Sequence, residues 1–241
     1  MEKRLKQAKV WSKRDLQFWT KEIHGYIDNK KFAVPVSAKK KAMILRQKIT
    51  GHLRTPGEGV SPECVKPKTK HTFIGVPMVE YTACVSPSKG KIIMMHEVVK
   101  DIPGSKKWNG LYAQRMYEGP LAKALKDTYG KKKSYRIVED GDPSGYQCED
   151  GKAGKRAGKI RSWRLPPRTP DWNPLDFSIW KEIEDVALSK VKVKATKKEY
   201  AKIVHKVAMN LSTTYLKDTC AKVGKKIKET IEAKGQHIKN D

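Results

Sequence analysis

The sequence predicts a mixed α/β fold that ends in a helical tail. Three features of the pattern predict it: strand-like apolar runs come early, strand and helix signals then alternate, and long amphipathic helices close the chain. Residues 3–22 place Leu5, Ala8, Trp11, Leu16 and Trp19 near a 3.6-residue period and predict a helix. The apolar and aromatic run 24–35, closed by Pro35, predicts a strand, and 38–50 a short helix. Residues 51–70 mix Gly, Pro and Lys in the manner of an exposed loop. The β-rich stretches 72–86 and 91–99, joined by Ser86-Pro87-Ser88-Lys89-Gly90, predict a hairpin. A helix follows over 110–129, interrupted at Gly119-Pro120, and then a short strand, SYRIVED, over 134–140. Residues 151–168 hold seven basic residues and no acidic one, with a strand predicted at IRSWRL. Helices are predicted over 174–190 and 196–233, the second with Tyr200, Ile203, Val204, Val207, Leu211, Val223, Ile227 and Ile231 on one stripe. No internal repeat is present.

Composition narrows the function. Among 241 residues, Lys and Arg number 52 against 26 Asp and Glu, a formal net charge of +26. Such a surface repels itself unless a polyanion neutralises it, and nucleic acid is the commonest one. An anionic membrane surface is the weaker alternative, because no single basic amphipathic helix stands out as an anchor. No run approaches the roughly 20 apolar residues of a spanning helix, so no membrane partner is expected. The 6 Trp, 9 Tyr and 4 Phe are too many for a disordered chain. Cys64, Cys84, Cys148 and Cys220 lie far apart with no CxxC pair, which argues against zinc and disulfides and fits a reducing intracellular setting. The N-terminal stretch MEKRLKQAKVW lacks a signal-peptide core. Lys39-Lys40-Lys41 and Lys131-Lys132-Lys133 suit either nuclear import or solvated surface. The six histidines are scattered, and none is assigned as a ligand.

In a chain so rich in base, acids at the ends of apolar segments carry the information. Asp28 follows Gly25-Tyr26-Ile27, and Asp140 follows Ile137-Val138-Glu139, on the same pleat face as Val138. Asp176 follows Asn173-Pro174-Leu175. With Asn173 as cap and Pro174 as first residue, it lies in the first helical turn, on the stripe of Trp180, Ile183 and Ala187. Two strand-end acids and one helix-start acid could thus meet at one edge of a sheet. Each also has an ordinary reading: Asp176 as a complement to the helix dipole, Asp28-Asn29 and Asp140-Gly141 as turn pairs.

The phrases around these acids add a resemblance. RIVEDGDPSGY, followed by LPPRTPDWNPLDFSIW, resembles the catalytic core of mariner-type DDE/D transposases. Asp140 matches the family's second catalytic acid and Asp176 the third, with 35 residues between them. FWTKEIHGYIDNKKF resembles the first-strand phrase and makes Asp28 the first acid. RTPGEG (54–59) resembles the loop after it, and Asp171 falls on a non-catalytic Asp of the third phrase. The likeness spans roughly residues 10–190. Departures include Asp140-Gly141-Asp142 for the usual Asp-Asn-Ala, Asn29 after the first acid, and Asp rather than Glu as the third acid. With 27 residues ahead of Asp28, the paired helix-turn-helix modules that read transposon ends in the family have no room, which favours the competing reading of a transposase-derived or truncated DNA-binding copy.

The resemblance implies a ribonuclease H-like mixed β-sheet flanked by helices, with a helical C-terminal extension. The expected division is an N-terminal helix (1–23), a catalytic domain (24–190) and the extension (191–241). It implies a DNA transposase that hydrolyses phosphodiesters at transposon ends and then joins the freed 3′-hydroxyl to target DNA. Three carboxylates suit two Mg2+ (or Mn2+) ions about 3.5–4 Å apart, with Asp28 bridging and Asp140 and Asp176 completing one site each. The expected partner is double-stranded DNA, both transposon ends and target. A homodimer is expected by family analogy, and a nuclear location if the source is eukaryotic (otherwise intracellular and DNA-associated). Lys152, Lys155, Arg156, Lys159, Arg161, Arg164 and Arg168 either flank the cleft and grip phosphate or form a solvated loop. Trp163, Trp172 and Trp180 read as core before they read as base-stacking platforms. The competing functions are a transposase-derived DNA-binding protein without activity and, supported by charge alone, a basic chromatin- or RNA-binding module.

Overall fold

The computed structural model describes residues 2–37, 41, 44, 77–99, 108–167, 169–192, 194–236 and 238. Five strands form one mixed sheet: β1 (Gly25–Ala33), β2 (Met78–Ser86), β3 (Lys91–Glu97), β4 (Tyr135–Glu139) and β5 (Ile160–Arg164), in the order β3-β2-β1-β4-β5. The first three make an antiparallel meander, and β4 and β5 continue parallel to β1. The hairpin turn is where the sequence places it, closed by Gly90 at φ +60° with its N–H on Ser86 O at 2.9 Å. Between β3 and β4 run α3 (Gly110–Met116) and α4 (Ala122–Tyr129), and between β4 and β5 runs α5 (Glu149–Ala157). The described residues also form α1 (Glu2–Trp11), the π-wound α2 (Phe18–Glu22), α6 (Trp180–Lys190), α7 (Lys197–Met209) and α8 (Thr213–Glu232).

Strand alternation divides the core between the two faces of the sheet. Tyr26, Phe32, Val79, Tyr81, Ala83, Val85 and Val138 pack with α1, α6, α7 and α8. Ile27, Cys84, Met94, Tyr135 and Ile137 pack with α3, α4 and α5. The C-terminal helices share their core with the N-terminal one. Tyr200, Val204, Leu216, Val223 and Ile227 belong to the cluster that holds Ala8 and Trp11. Arg4 of α1 pairs with buried Asp171, and Trp172 Nε1 donates to Thr230 Oγ1 of α8 at 2.8 Å.

Three elements differ from their sequence-based expectation. The helix expected over 3–22 is two pieces: the chain turns at 12–14, and Asp15 Oδ1 accepts the Phe18 N–H at 2.8 Å to start α2. The turn brings the Trp11 and Trp19 rings to 5.6 Å, whereas eight residues of straight helix separate them by roughly 12 Å. Gly119-Pro120 does not interrupt the helix over 110–129. Both fall in a π-wound turn, Tyr117–Leu121, that joins α3 to α4. The first half of the basic stretch 151–168 is helix rather than loop, because Cys148 Sγ caps Gly151 N at 3.3 Å and Glu149 and Asp150 oppose the helix dipole in the first turn. Apart from Lys41 and Ile44, the helix expected over 38–50 lies outside the described residues, as does the loop over 51–70. Among the described residues, no helix is long and apolar enough to cross a membrane.

Candidate active site

The parallel pairing of β1 with β4 sets the site. Gly25 pairs with Ile137 and Tyr26 with Val138. Carried two residues further, this register sets Asp28 level with Asp140. Both acids share parity with Tyr26 and Val138, and so project from the same face of neighbouring strands. Asp176 arrives from a third direction. Asn173 donates from Nδ2 to Ile27 O at 3.1 Å and caps Leu175 N with Oδ1 at 3.2 Å, so the start of the helix is tied beside Asp28. Pro174, at φ −59°, is the first helical residue, as the sequence predicts. A π-wound turn, Leu175–Ile179, then leads into α6. Trp180 Nε1, one turn on from Asp176, donates to Asp28 Oδ2 at 2.6 Å.

The three carboxyls feel one another. Asp28 is 7% exposed, and burial, then the charge of Asp176, raises its pKa well above the carboxylate range against the opposing Trp180 hydrogen bond. Asp176 lies within hydrogen-bond reach of Asp28. It is pushed up to about 6 by burial and then by the charge of Asp140, with Lys30 pulling the other way. Asp140 is raised by burial and by Asp142, and lowered by the Asp142 N–H and by Arg164. Asp176 nonetheless stands exposed at the mouth of the cleft, whereas the residues below it on the stripe, Trp180, Ile183 and Ala187, are buried. Two clefts meet at Asp140 and Asp142. One, of about 310 Å³, is walled by Leu165, Pro166, Pro167, Pro170 and Asp176. The other, of about 430 Å³, is walled by Asp28, Lys30, Lys31, Trp108 and Tyr146. Among the described residues, no three His, Cys, Asp or Glu side chains converge into a ready-made metal-ligand set.

The loop after Asp140 is tightly held. Asp142 N donates to Asp140 Oδ1, and Asp142 itself accepts from Trp108 Nε1 at 2.6 Å, from Ser144 and from Gly145 N. Burial pushes the Asp142 carboxyl up, but these donors outweigh it and leave it below the usual range. Glu139 faces the opposite side of the sheet. It is fully buried, paired with Lys155, and bonded to Tyr117 Oη and to Gln147 Nε2. This overturns the reading of Lys155 as a phosphate-gripping side chain. It is 6% exposed, with its ammonium also on Tyr146 O at 2.7 Å, because α5 turns that face onto the sheet.

Of the other basic candidates, Arg164 reaches the site, with Nη2 3.4 Å from Gly141 O. Lys152 is exposed and pairs with Glu149 at 2.7 Å, while Arg156 and Arg161 are exposed. Lys159, at φ +56°, sits at the far end of β4 from Asp140, its carbonyl on Tyr135 N. Arg168 lies outside the described residues. Lys30, two positions after Asp28 and so on its face, went unmarked in the sequence, although strand alternation could have singled it out. Trp172 and Trp180 are core residues, and half-buried Trp163 packs on Trp11 and Phe18.

Against solved structures, the chain is similar to a pre-cleavage Mos1 transpososome (TM-score 0.70, 14% identity, 99% of this chain and 64% of that one). It is also similar to the catalytic domain of Mos1 mariner transposase (0.63, 11% identity, 99% and 97%). A third likeness is to the Mos1 transposase catalytic domain with raltegravir and Mn (0.64, 12% identity, 99% and 98%). The chain therefore has the ribonuclease H-like fold of that catalytic domain, and spans 64% of the chain in the transpososome. No family model matches the sequence, and no curated protein does.

Proposed function

We propose that this chain is the catalytic core of a DDE/D-type transposase that cuts and joins double-stranded DNA with divalent metal. The observation that carries the reading is that Asp28, Asp140 and Asp176, distant in sequence, lie close enough at one end of β1 and β4 to feel one another's charge. The shared fold supports it, and the Mos1 structures of that fold include a strand transfer complex and forms with Mn and with Mg.

The donor set fits a hard dication. It offers carboxylate oxygens only, and crowding and burial disfavour their charged forms until a cation compensates. In this reading Asp28, Asp140 and Asp176 would together hold Mg2+ or Mn2+. The chemistry such a cation would supply is a lowered pKa for an attacking water or 3′-hydroxyl and charge compensation for the departing 3′-oxygen. The chain's own residues do the rest. Trp180 fixes the Asp28 carboxylate by its hydrogen bond, and Asp142 N–H fixes that of Asp140. Lys30 and Arg164, close to Asp176 and Asp140, draw the phosphate against an otherwise repellent acidic cluster. The large positive charge of the rest of the chain holds the duplex.

The test is nicking or strand transfer on double-stranded DNA with Mg2+ or Mn2+. Turnover is expected to require the metal and to fall to background in Asp140→Asn while DNA affinity is kept. Wild-type protein that binds DNA but never cuts it under either metal would instead identify a non-catalytic DNA-binding derivative.

A further inference from the structure

The tyrosine six residues after Asp140 is built into the wall of the acidic cleft, and its hydroxyl is left over. Tyr146 is 1% exposed, and its Oη has no hydrogen-bond partner among the described residues. A buried hydroxyl normally finds one, so an orphan in a folded site calls for an explanation. The ring is not loosely placed. It packs edge-on against Trp108 at 4.8 Å, and its backbone carbonyl accepts from the Lys155 ammonium at 2.7 Å. The loop that carries it is pinned by Gly145 N and Trp108 Nε1 on Asp142. A side chain at Gly145 would collide with Trp108, its Cβ 2.5 Å from the indole ring, so the approach of ring and loop is part of the design. Tyr146 lines the same cleft as Asp28, Asp140 and Asp142. The charges that bear on its phenol most are those of Asp28 and then Asp140, after burial itself.

We propose that Tyr146 is a positioning residue of the metal centre, its hydroxyl donating to a carboxylate oxygen of Asp28 or Asp140 when those side chains close on a divalent cation. The role rests on the metal-binding reading of the site given above. Carboxylates that ligate metals are themselves held by outer hydrogen bonds, and losing such a bond typically weakens metal binding about 10–100-fold. Trp180 holds Asp28 from the α6 side, and the Asp142 N–H holds Asp140 from its own loop. Tyr146, which lines the same cleft, would supply a further donor from its wall.

The test is Mn2+ binding to the full chain without DNA, by titration calorimetry, together with the thermal midpoint with and without Mn2+, for wild type, Tyr146→Phe and Asp28→Asn. Tyr146→Phe is expected to bind Mn2+ at least about tenfold more weakly. Its metal-free midpoint should be equal to or above that of wild type, because the lost hydroxyl had no partner, while its gain on adding Mn2+ shrinks. Asp28→Asn should lose most binding. Wild-type Mn2+ affinity in Tyr146→Phe overturns the role of Tyr146 while leaving the metal site intact. A large fall in the metal-free midpoint overturns it too, by showing a structural hydroxyl. If wild type binds no Mn2+, the metal reading itself fails and this role falls with it.

Discussion

Asp176 is the site acid whose protonation is easiest to follow. Its carboxyl is held at about 6 by burial and the charge of Asp140, above the usual value of 3.8. Over that window the folded chain binds more protons than the unfolded one, so this group's contribution is favourable at low pH and is lost as pH rises toward 6. Asp176→Asn removes the penalty. Solvent screening at the cleft mouth keeps the effect small: the metal-free variant is expected to melt slightly above wild type at pH 7, and the gap should narrow at pH 5, where the wild-type carboxyl is mostly protonated. Calorimetric scans in chelator at both pH values check this. An equal gap at the two pH values, or a lower midpoint for the variant at pH 7, would contradict the crowding. At this scale the nearness of Asp28, Asp140 and Asp176 was legible, because an acid closing an apolar run stands out in a basic chain. Their supporting partners were not. Trp180 reads as helix core until the fold shows its indole N–H on Asp28. Lys155 shows the reverse error: a lysine in a basic run reads as surface, yet it neutralises Glu139 behind the sheet.

Among elements, α5 was the one the sequence hid. Its residues, EDGKAGKRA, carry too little apolar material for a periodic stripe, and two glycines argue against a helix. The glycines have a packing reason. Gly151 and Gly154 are buried, and α5 lies so close to α3 that a Cβ at Gly154 would come within 2.6 Å of Gln114 O. Gly154→Ala is therefore expected to destabilise by about 1–3 kcal/mol in urea unfolding, although alanine alone favours a helix by about 1 kcal/mol over glycine. A more stable variant would contradict the close crossing. The strands, by contrast, were legible close to their ends for β1, β3, β4 and β5, since each is a short apolar or aromatic run between turn signals, whereas the start of the stretch expected over 72–86 lies outside the described residues. The turn at 12–14 was missed because the apolar period runs through it, and tertiary pairing of Trp11 with Trp19 decides the break.

At the scale of the molecule, strand order was beyond any pattern in the sequence, yet it is what makes the site. Placing β1 between β2 and β4 sets its outer end beside that of β4, so residues 112 positions apart become neighbours. The third acid is delivered by the segment from Pro170 to Asp176. That segment is anchored from behind by α1 and α8, through Arg4 on Asp171 and Trp172 on Thr230. The two chain ends thus brace the element that carries Asp176, and the Asp171 of the third phrase serves that brace. In the proposed function this architecture gathers carboxylates around divalent cations. That claim is tested most directly by anomalous diffraction from crystals soaked in Mn2+. The expected result is manganese density bounded by the carboxyl oxygens of Asp28, Asp140 and Asp176. Saturating Mn2+ that binds elsewhere, with these three side chains left bare, would contradict it.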